Sequence, residues 1–416
     1  MSKTLFVGID AHSESNTACF LDQEGKIILK SFPFPNNLPG AQGLEAKIVS
    51  VMNENNFDSL KIAAESTSFY SLHLVEFLAT SSVISPFAPL VYQFNPKLTN
   101  AFKKAYPDKD KTDNIDAFVV ADRLRFGRLP EPYNVQQPYV PLRRLTRYRF
   151  HLVESISREK NYFLSHLFLK FSSFSSLEPF SNPFGAASMA LITENLSADE
   201  LAAMPVDDLV QFVIHHGKNR FPNPGKIAEA LKKVARESYR IRPALADSVN
   251  LILAMSLRSI KALTASLKEV DKAIADEFKA FPNTLLSVPG LGPVYSAGIL
   301  SEIGNIKSFS SQDKLAKFAG LTWRKNQSGG FQAENTRMTK TGNQYLRYYL
   351  IEAANSLRMH NEEFKAYYRS KHGEVPKHQH KRAVSLTARK LVRLVFFLLK
   401  NNQLYQPPAK RRSATI

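Results

Sequence analysis

The sequence predicts a layered α/β domain at the N-terminus, then a long helical segment, then a mainly α-helical C-terminal third. Three observations carry this prediction. Short apolar runs alternate with helical stretches over about the first 130 residues. A seven-residue apolar repeat runs through residues 243–281. Helix pairs punctuated by glycine and proline follow residue 285. The chain has 416 residues, room for two to four domains at roughly 150 residues each.

The run Leu5-Phe6-Val7-Gly8-Ile9 has no helical period and reads as a buried strand. Residues 17–21 and 26–30 flank Asp22-Gln23-Glu24-Gly25, which predicts a hairpin. Residues 43–52 read as helix, 60–64 as strand, 71–79 as helix and 89–94 as strand. Residues 112–126 are helical again, with Ile115, Val119 and Leu124 on roughly one side. A long basic helix follows over 141–171, carrying Arg143, Arg144, Arg147, Arg149 and Arg158. Residues 172–185, rich in Ser, Phe and Pro, read as a loop. Ser197 with Glu200 is a capping-box signal. Gly217 ends a second short helix, and 222–225 is a loop.

In the 243–281 helix, Leu253, Ile260, Leu267 and Ile274 recur every seven residues, with Leu263 and Val270 between them. The pattern fits a coiled coil between chains. It fits equally an amphipathic helix packed within its own chain, against the 141–171 helix. Residues 285–303 read as two short helices around Pro289-Gly290-Leu291-Gly292. A hairpin is expected through Gln327-Ser328-Gly329-Gly330, and two helices over 343–359 and 383–401. The domain boundaries expected are 1–135, 136–281 with a stretch of open role at about 172–245, 282–405, and a basic disordered tail, 406–416.

Lys and Arg number 55 against 37 acids, a formal charge of +18. Such an excess attracts a polyanion by neutralising phosphates and releasing counterions. The alternatives are solubility or an acidic membrane surface, and nucleic acid is preferred. No apolar run reaches the ~18 residues of a membrane span. The N-terminus lacks a signal peptide's apolar region. Cys19 is the only cysteine, which excludes internal disulfides and Cys-based zinc sites. These features predict a cytoplasmic protein. No Walker-type loop is present, so ATP is not implied.

Four acids stand where an α/β sheet would gather them. Asp10 closes the first strand and Glu65 another, in Ala63-Ala64-Glu65-Ser66-Thr67. Asp113 and Asp116 open a helix at i and i+3, on one face. Magnesium takes oxygen ligands of this kind. Phosphodiester chemistry often uses two such ions, roughly 3.5–4 Å apart, to stabilise the attacking and leaving oxygens. Each acid has a plainer reading. Strand-end acids are common turn residues, and an acid in a helix's first turn is favoured by the dipole. Asp122 reads as a surface acid facing elsewhere.

Ser328 lies in Arg324-Lys325-Asn326-Gln327-Ser328-Gly329-Gly330, with Arg337 and Lys340 beyond. The glycines would let a phosphate approach, and a serine among cations could attack a phosphodiester and conserve the bond as a phosphoserine. A plain turn serine is the alternative. Tyr345, Tyr348 and Tyr349 are rival nucleophiles whose spacing also fits a packing face. Val288-Pro289-Gly290-Leu291-Gly292-Pro293 resembles a helix-hairpin-helix, in which Gly290 and Gly292 would offer backbone N–H groups to a phosphate. The histidines, His12 included, show no convincing metal-ligand spacing and read as structural or phosphate-contacting.

Taken together, Gly8-Ile9-Asp10, Ala64-Glu65 and Lys111-Thr112-Asp113-Asn114-Ile115-Asp116-Ala117 resemble the DEDD domain of insertion-sequence 110 family transposases. The stretch from Leu286 through Pro293, then Phe318-Ala319-Gly320-Leu321, Ser328-Gly329-Gly330, Lys340-Thr341-Gly342-Asn343 and Leu346-Arg347 is similar to that family's C-terminal transposase domain. The resemblance implies a RuvC-like, ribonuclease-H-type fold for the N-terminal domain. It implies that Asp10, Glu65, Asp113 and Asp116 hold one or two magnesium ions and that Ser328 attacks DNA. The family often carries Ser-Ser-Gly where this chain has Gln327-Ser328-Gly329, so Ser328 is the only local candidate.

Also implied are donor and target DNA as substrates, a structured noncoding (bridge) RNA that pairs with both, and a homodimer or tetramer. The carboxylates and Ser328 would then form one composite site, within a chain or between chains. Arg143, Arg144, Arg147, Gly290, Gly292, Arg324, Lys325, Gly329, Arg337, Lys340 and Arg347 are the expected nucleic-acid contacts. The alternatives are a RuvC-like junction nuclease using metal-activated water, with Ser328 structural, or a nucleic-acid-binding protein without chemistry.

Overall fold

A computed structural model describes residues 3–66, 69–106, 113–135, 138–194, 196–323, 327–328, 331–332 and 337–407. The chain divides into two compact units, Met1–Gln137 and Pro138–Ile416.

The first unit is built on a five-stranded mixed sheet. Its elements in order are β1 (Thr4–Ala11), β2 (Ser15–Leu21), β3 (Ile27–Pro35), α1 (Leu38–Glu54), β4 (Ser59–Glu65), α2 (Leu72–Thr80), β5 (Leu90–Phe94), α3 (Pro96–Lys103) and α4 (Asp113–Phe126). The strands lie in the order β3-β2-β1-β4-β5. β1, β2 and β3 pair antiparallel, whereas β4 and β5 run parallel to β1. The expected hairpin forms, its turn held by Asp22 Oδ1, which accepts from the Glu24 and Lys26 amides at 2.9 and 2.8 Å.

β1 is an unbroken apolar run because helices cover both faces of the sheet. Leu5, Val7 and Ile9 pack into a cluster with Leu44, Ile48 and Val51 of α1 and Leu74, Val75 and Leu78 of α2. On the other face, Phe6 joins Leu21, Ala63, Phe94 and the α4 residues Ala117, Val120, Ala121 and Leu124. Gly8 lies on this second face, directly under α4. A Cβ placed there would stand 2.1 Å from the Ala121 amide nitrogen and 2.4 Å from the Ala117 carbonyl oxygen. The missing side chain therefore sets how closely α4 approaches β1.

The second unit contains α5 (Val140–Lys170), α6 (Phe174–Leu177), α7 (Ala186–Thr193), α8 (Ala198–Ala203), α9 (Val206–Gly217), α10 (Pro224–Glu237) and α11 (Pro243–Phe278). Beyond them come α12 (Pro293–Ile303), α13 (Gln312–Ala319), the hairpin β6 (Gln327–Ser328) and β7 (Phe331–Gln332), α14 (Gln344–His360), α15 (Glu362–Gly373) and α16 (Gln379–Asn401).

The seven-residue repeat of α11 is spent within the chain, against α5. The two helices run antiparallel. Arg149 Nε donates to Asp271 Oδ1 at 2.6 Å near one end, and Ser256 Oγ to Glu159 Oε1 at 2.6 Å nearer the other. Leu253, Leu257 and Ile260 join Phe163 and Leu167 in one cluster with α7 to α10. Ile274 and Phe278 join Leu142 in a second cluster with α12 to α16. The stretch of open role is thus a small helical layer around the far end of the α5–α11 pair. The capping box at Ser197 and Glu200 forms as expected.

Several helices have no counterpart among the expectations: α3, α6, α7, α10, α13 and α15, of which α6 lies within the stretch 172–185 expected to be a loop. The period was there to be read in α10, which buries Ala228, Leu231, Lys232, Val234 and Ala235 at helical spacing, whereas the single turn of α6 is too short to carry one. Asp122 also differs from its expectation. It is buried, accepting hydrogen bonds from the Tyr106 hydroxyl and from Arg125. No helix of the described residues is long and apolar enough to cross a membrane.

Two measurements test these packings. Gly8→Ala must push α4 away from the sheet, and urea denaturation should show a loss of roughly 1–3 kcal/mol. Leu253→Ala should lower stability by about 2–5 kcal/mol, with a midpoint independent of protein concentration. A midpoint that rises with concentration would place the repeat between chains instead.

Candidate metal centre and serine hairpin

Asp10 is the penultimate residue of β1 and Glu65 the last of β4. The two strands are parallel, with Gly8 opposite Ala63 and Ile9 opposite Ala64, so their C-terminal ends meet at one edge of the sheet. Side chains alternate along a strand. Asp10 and Glu65 therefore share the face of Gly8 and Ala63, the face under α4. The first turn of α4 carries Asp113 and Asp116 to the same place. The convergence follows from register and from the close seating of α4.

The surrounding groups show how near the acids are. His12 Nε2 lies 3.2 Å from Asp10 Oδ2 and 3.6 Å from Asp113 Oδ1. One ligand atom each from Asp10, His12 and Asp113 lie within 4.8 Å of one another, a spacing that could hold a metal ion. Thr99 Oγ1 donates to Glu65 Oε1 at 2.8 Å, and Lys103 forms an ion pair with Asp116. Burial pushes the Asp10 carboxyl above its ordinary value. His12 opposes that rise, and the charges of Asp116 and Asp113 add to it. Burial also raises Glu65, resisted by its bond from Thr99 and reinforced by the charges of Asp10 and Asp116.

These residues fit a divalent cation. Hard oxygen donors predominate, as magnesium prefers, and a cation among them would relieve both the desolvation and the mutual repulsion. The imidazole of His12 adds a nitrogen donor, which also suits manganese or zinc. Lys103 brings an ammonium to Asp116, where it neutralises part of the acidic charge.

His12, Thr99 and Lys103 were absent from the site expected from sequence. The signals were present but weak. Asp10 and His12 are two apart, the spacing that keeps both on one face of an extended chain. Thr99 and Lys103 are four apart in α3, after the capping Asn95 and Pro96.

Ser328 forms a two-residue ladder with its neighbours in the second unit: Gln327 pairs with Gln332 and Ser328 with Phe331. Its backbone is described and its side chain is not. The base of this segment is closed by a bridge between Trp323 and Met338 and by Thr339 N donating to Thr322 O at 2.7 Å. Arg324, Lys325 and Gly329 lie outside the described residues.

The other expected arginine and lysine contacts divide into two groups. Arg144, Arg337 and Lys340 are exposed. Arg143, Arg147 and Arg347 spend donors inside the fold. Arg143 Nε donates to Ser301 O at 2.7 Å. Arg147 grips Glu302 with two bonds of 2.7 and 2.9 Å, and Arg347 donates to Ala319 O at 3.1 Å. Glu302 is buried and also accepts from Asn343 Nδ2 at 2.7 Å. Gly290 adopts φ +96° in the turn before α12, and its carbonyl accepts from Ser356 Oγ at 2.8 Å. Gly292 is the N-cap of α12, with open space where a side chain would stand. Of the rival tyrosines, Tyr349 is fully buried and donates to Thr146 O at 2.6 Å. Tyr348 accepts from Arg149 at 2.9 Å.

Comparison with known proteins identifies the chain's relatives. The model of the DEDD transposase domain of IS110 elements, described as a transposase, matches residues 7–171. A second, described as the transposase IS116/IS110/IS902 family, matches residues 283–369. The chain belongs to the IS110 family of transposases. The uncharacterized 44.8 kDa protein of insertion element IS116 from Streptomyces clavuligerus is 23% identical over 406 residues, covering 97% of this chain and 96% of its own. The uncharacterized 42 kDa protein of insertion element IS900 from Mycobacterium paratuberculosis is 25% identical over 317 residues, covering 74% and 76%. As a DNA transposase, the protein has four acids and a histidine gathered within the matched DEDD region.

The raised carboxyls yield a prediction for this transposase without metal. Between the ordinary Asp value of 3.8 and the raised folded value, the folded chain binds more protons than the unfolded one. Stability contributed by Asp10 therefore falls as pH rises through that window, and the penalty is complete above it. Asp10→Asn should raise the melting temperature of the metal-free protein at pH 7. The gain should shrink as the pH is lowered towards 4. An equal gain at both pH values would show that charge is not its source.

Proposed function

We propose that this transposase cleaves and rejoins DNA with magnesium held by Asp10, Glu65, Asp113 and Asp116, and with Ser328 as nucleophile. The observation that carries the reading is the convergence of the four acids at the C-terminal ends of β1 and β4 under α4. The mixed sheet with helices on both faces supports a ribonuclease-H-type fold for this unit.

In the proposed reaction the Ser328 hydroxyl loses its proton and its oxygen bonds to phosphorus. The phosphorus–oxygen bond to the adjoining deoxyribose breaks, and that sugar oxygen takes up a proton. The phosphoserine ester keeps the energy of the broken bond, so attack by a second strand end reverses the step and joins new partners. Bound magnesium would stabilise charge on the attacking and leaving oxygens. His12, between Asp10 and Asp113, orients the two carboxylates. The basic surface holds DNA backbones, and a structured noncoding (bridge) RNA selects donor and target by base pairing. The working form is a homodimer or tetramer in the cytoplasm.

Trapping a protein–DNA adduct tests the nucleophile. Ser328→Ala should abolish the adduct and Tyr348→Phe should retain it. Cleaved DNA without any adduct would favour a junction nuclease using activated water. Metal binding is tested by melting. Magnesium at a hundred times its Kd should stabilise the wild type by about 2.7 kcal/mol and leave Asp10→Asn unmoved. Unimpaired cleavage by both Asp10→Asn and Asp113→Asn would remove the acids from the chemistry. RNA guidance requires a discrete RNA to co-purify with the protein, and transposition to cease when it is digested.

A further inference from the structure

A cavity of about 530 Å³ lies in the first unit at the start of α1 and α2, lined by Ser13, Asn36, Leu38, Phe69, Tyr70 and His73, among others. It adjoins the carboxylates through the backbone. Ser13 directly follows His12, and Asn36 Nδ2 donates to His12 O at 2.7 Å and to Tyr70 O at 3.0 Å. Asn36 therefore ties the cavity to the segment that presents His12 to Asp10 and Asp113. Both amide protons of Asn36 are engaged by these bonds, which leaves Oδ1 as an acceptor.

The lining combines exposed aromatic rings with a few polar groups. Phe69 is 61% exposed and Tyr70 46% exposed, and both line the cavity. Leu38 is 59% exposed, and Ala41, Leu74 and Phe77 add further apolar lining. Flat aromatic faces with a few hydrogen-bonding groups suit a flat, polar-edged ring. Enzymes that act on DNA draw single nucleotides out of the stack into such pockets. Aromatic side chains hold unpaired bases whatever their sequence, because every base offers a π-face.

We infer that this cavity binds one unstacked nucleobase of the DNA strand whose phosphate lies at the carboxylates. The inference rests on the proposed reading of those acids. The occupant follows from the shared edge: the acids lie on the α4 side of the sheet and the cavity on the α1–α2 side, with the His12–Ser13 segment between them, so a strand crossing that edge from Asp10 and Asp113 brings a nearby base to Phe69 and Tyr70. Stacking there would fix the strand's register and hold the scissile phosphate still.

Photocrosslinking tests the cavity directly. The full-length protein, with calcium in place of magnesium, is irradiated with a single-stranded oligodeoxynucleotide carrying 5-iodouracil, and the adducts are mapped by mass spectrometry. Adducts are expected at Phe69 or Tyr70. Phe69→Ala should weaken binding of this oligonucleotide roughly 10-fold and leave binding of a base-free deoxyribose phosphate chain unchanged. Tyr70→Ala should do the same. Equal losses on both probes, or adducts only at other peptides, would overturn the inference. So would a change of oligomeric state in Phe69→Ala without any adduct at the cavity, which would assign the rim to a second copy of the chain.

Asp113→Asn separates this inference from the reading beneath it. Lost cleavage with retained crosslinking supports both. Lost cleavage and a wild-type protein that does not crosslink at the cavity sinks only the pocket. Normal cleavage by Asp113→Asn with crosslinking at Phe69 sinks the carboxylate reading and its place for the phosphate.

Discussion

The seating of α4 on β1 at Gly8 is the constraint on which the first unit depends. A helix packed on a sheet normally stands off by the length of the side chains between them. Here one position has no side chain at all, and the backbone of α4 at Ala117 and Ala121 settles onto the strand. Ala117 and Ala121 are themselves small and buried, so the helix presents little bulk in return. The first turn of α4 is thereby brought to the end of β1, and Asp113 and Asp116 reach Asp10. The same contact that completes the core on one face of the sheet assembles the acidic site at its edge.

Such an assembly opposes folding in the absence of a cation. Buried or half-buried carboxylates lose hydration, and each raises the proton affinity of its neighbours. The fold tolerates this through local partners. His12 lies between Asp10 and Asp113, Thr99 donates to Glu65, and Lys103 pairs with Asp116. These partners come from the end of β1 and from α3, so the elements around the site also moderate its charge. The apolar remainder of the unit, packed on both faces of the sheet, supplies the stability that the acids remove.

The second unit solves a different problem, holding two clusters together over a long span. The antiparallel α5–α11 pair does this, one end in each cluster. Arginine is used along it as an internal tie. Arg149 with Asp271 and Tyr348, Arg147 with Glu302, and Arg143 with Ser301 join α5 to α11, α12 and α14. A planar guanidinium can satisfy a buried carboxylate bidentately, as Arg147 does with Glu302, and its several donors let Arg149 bond Asp271 and Tyr348 at once. The basic charge of the chain therefore serves the interior as well as the surface.

What the sequence determined by itself was local. The apolar run of β1, the hairpin at Asp22, the capping box at Ser197 and the long helices were legible, because each depends on residues close along the chain. The four acids were legible as a set, since strand ends and a helix start were visible without the sheet. Tertiary structure alone decided the rest. The repeat in α11 is the same for an intrachain and an interchain partner, and only packing against α5 resolved it. Asp122 looked like a surface acid, and the folding of Tyr106 and Arg125 around it made it a buried one. His12, Thr99 and Lys103 became part of the site because β1, α3 and α4 converge there. Such convergence joins residues up to about a hundred positions apart, and no local period records it.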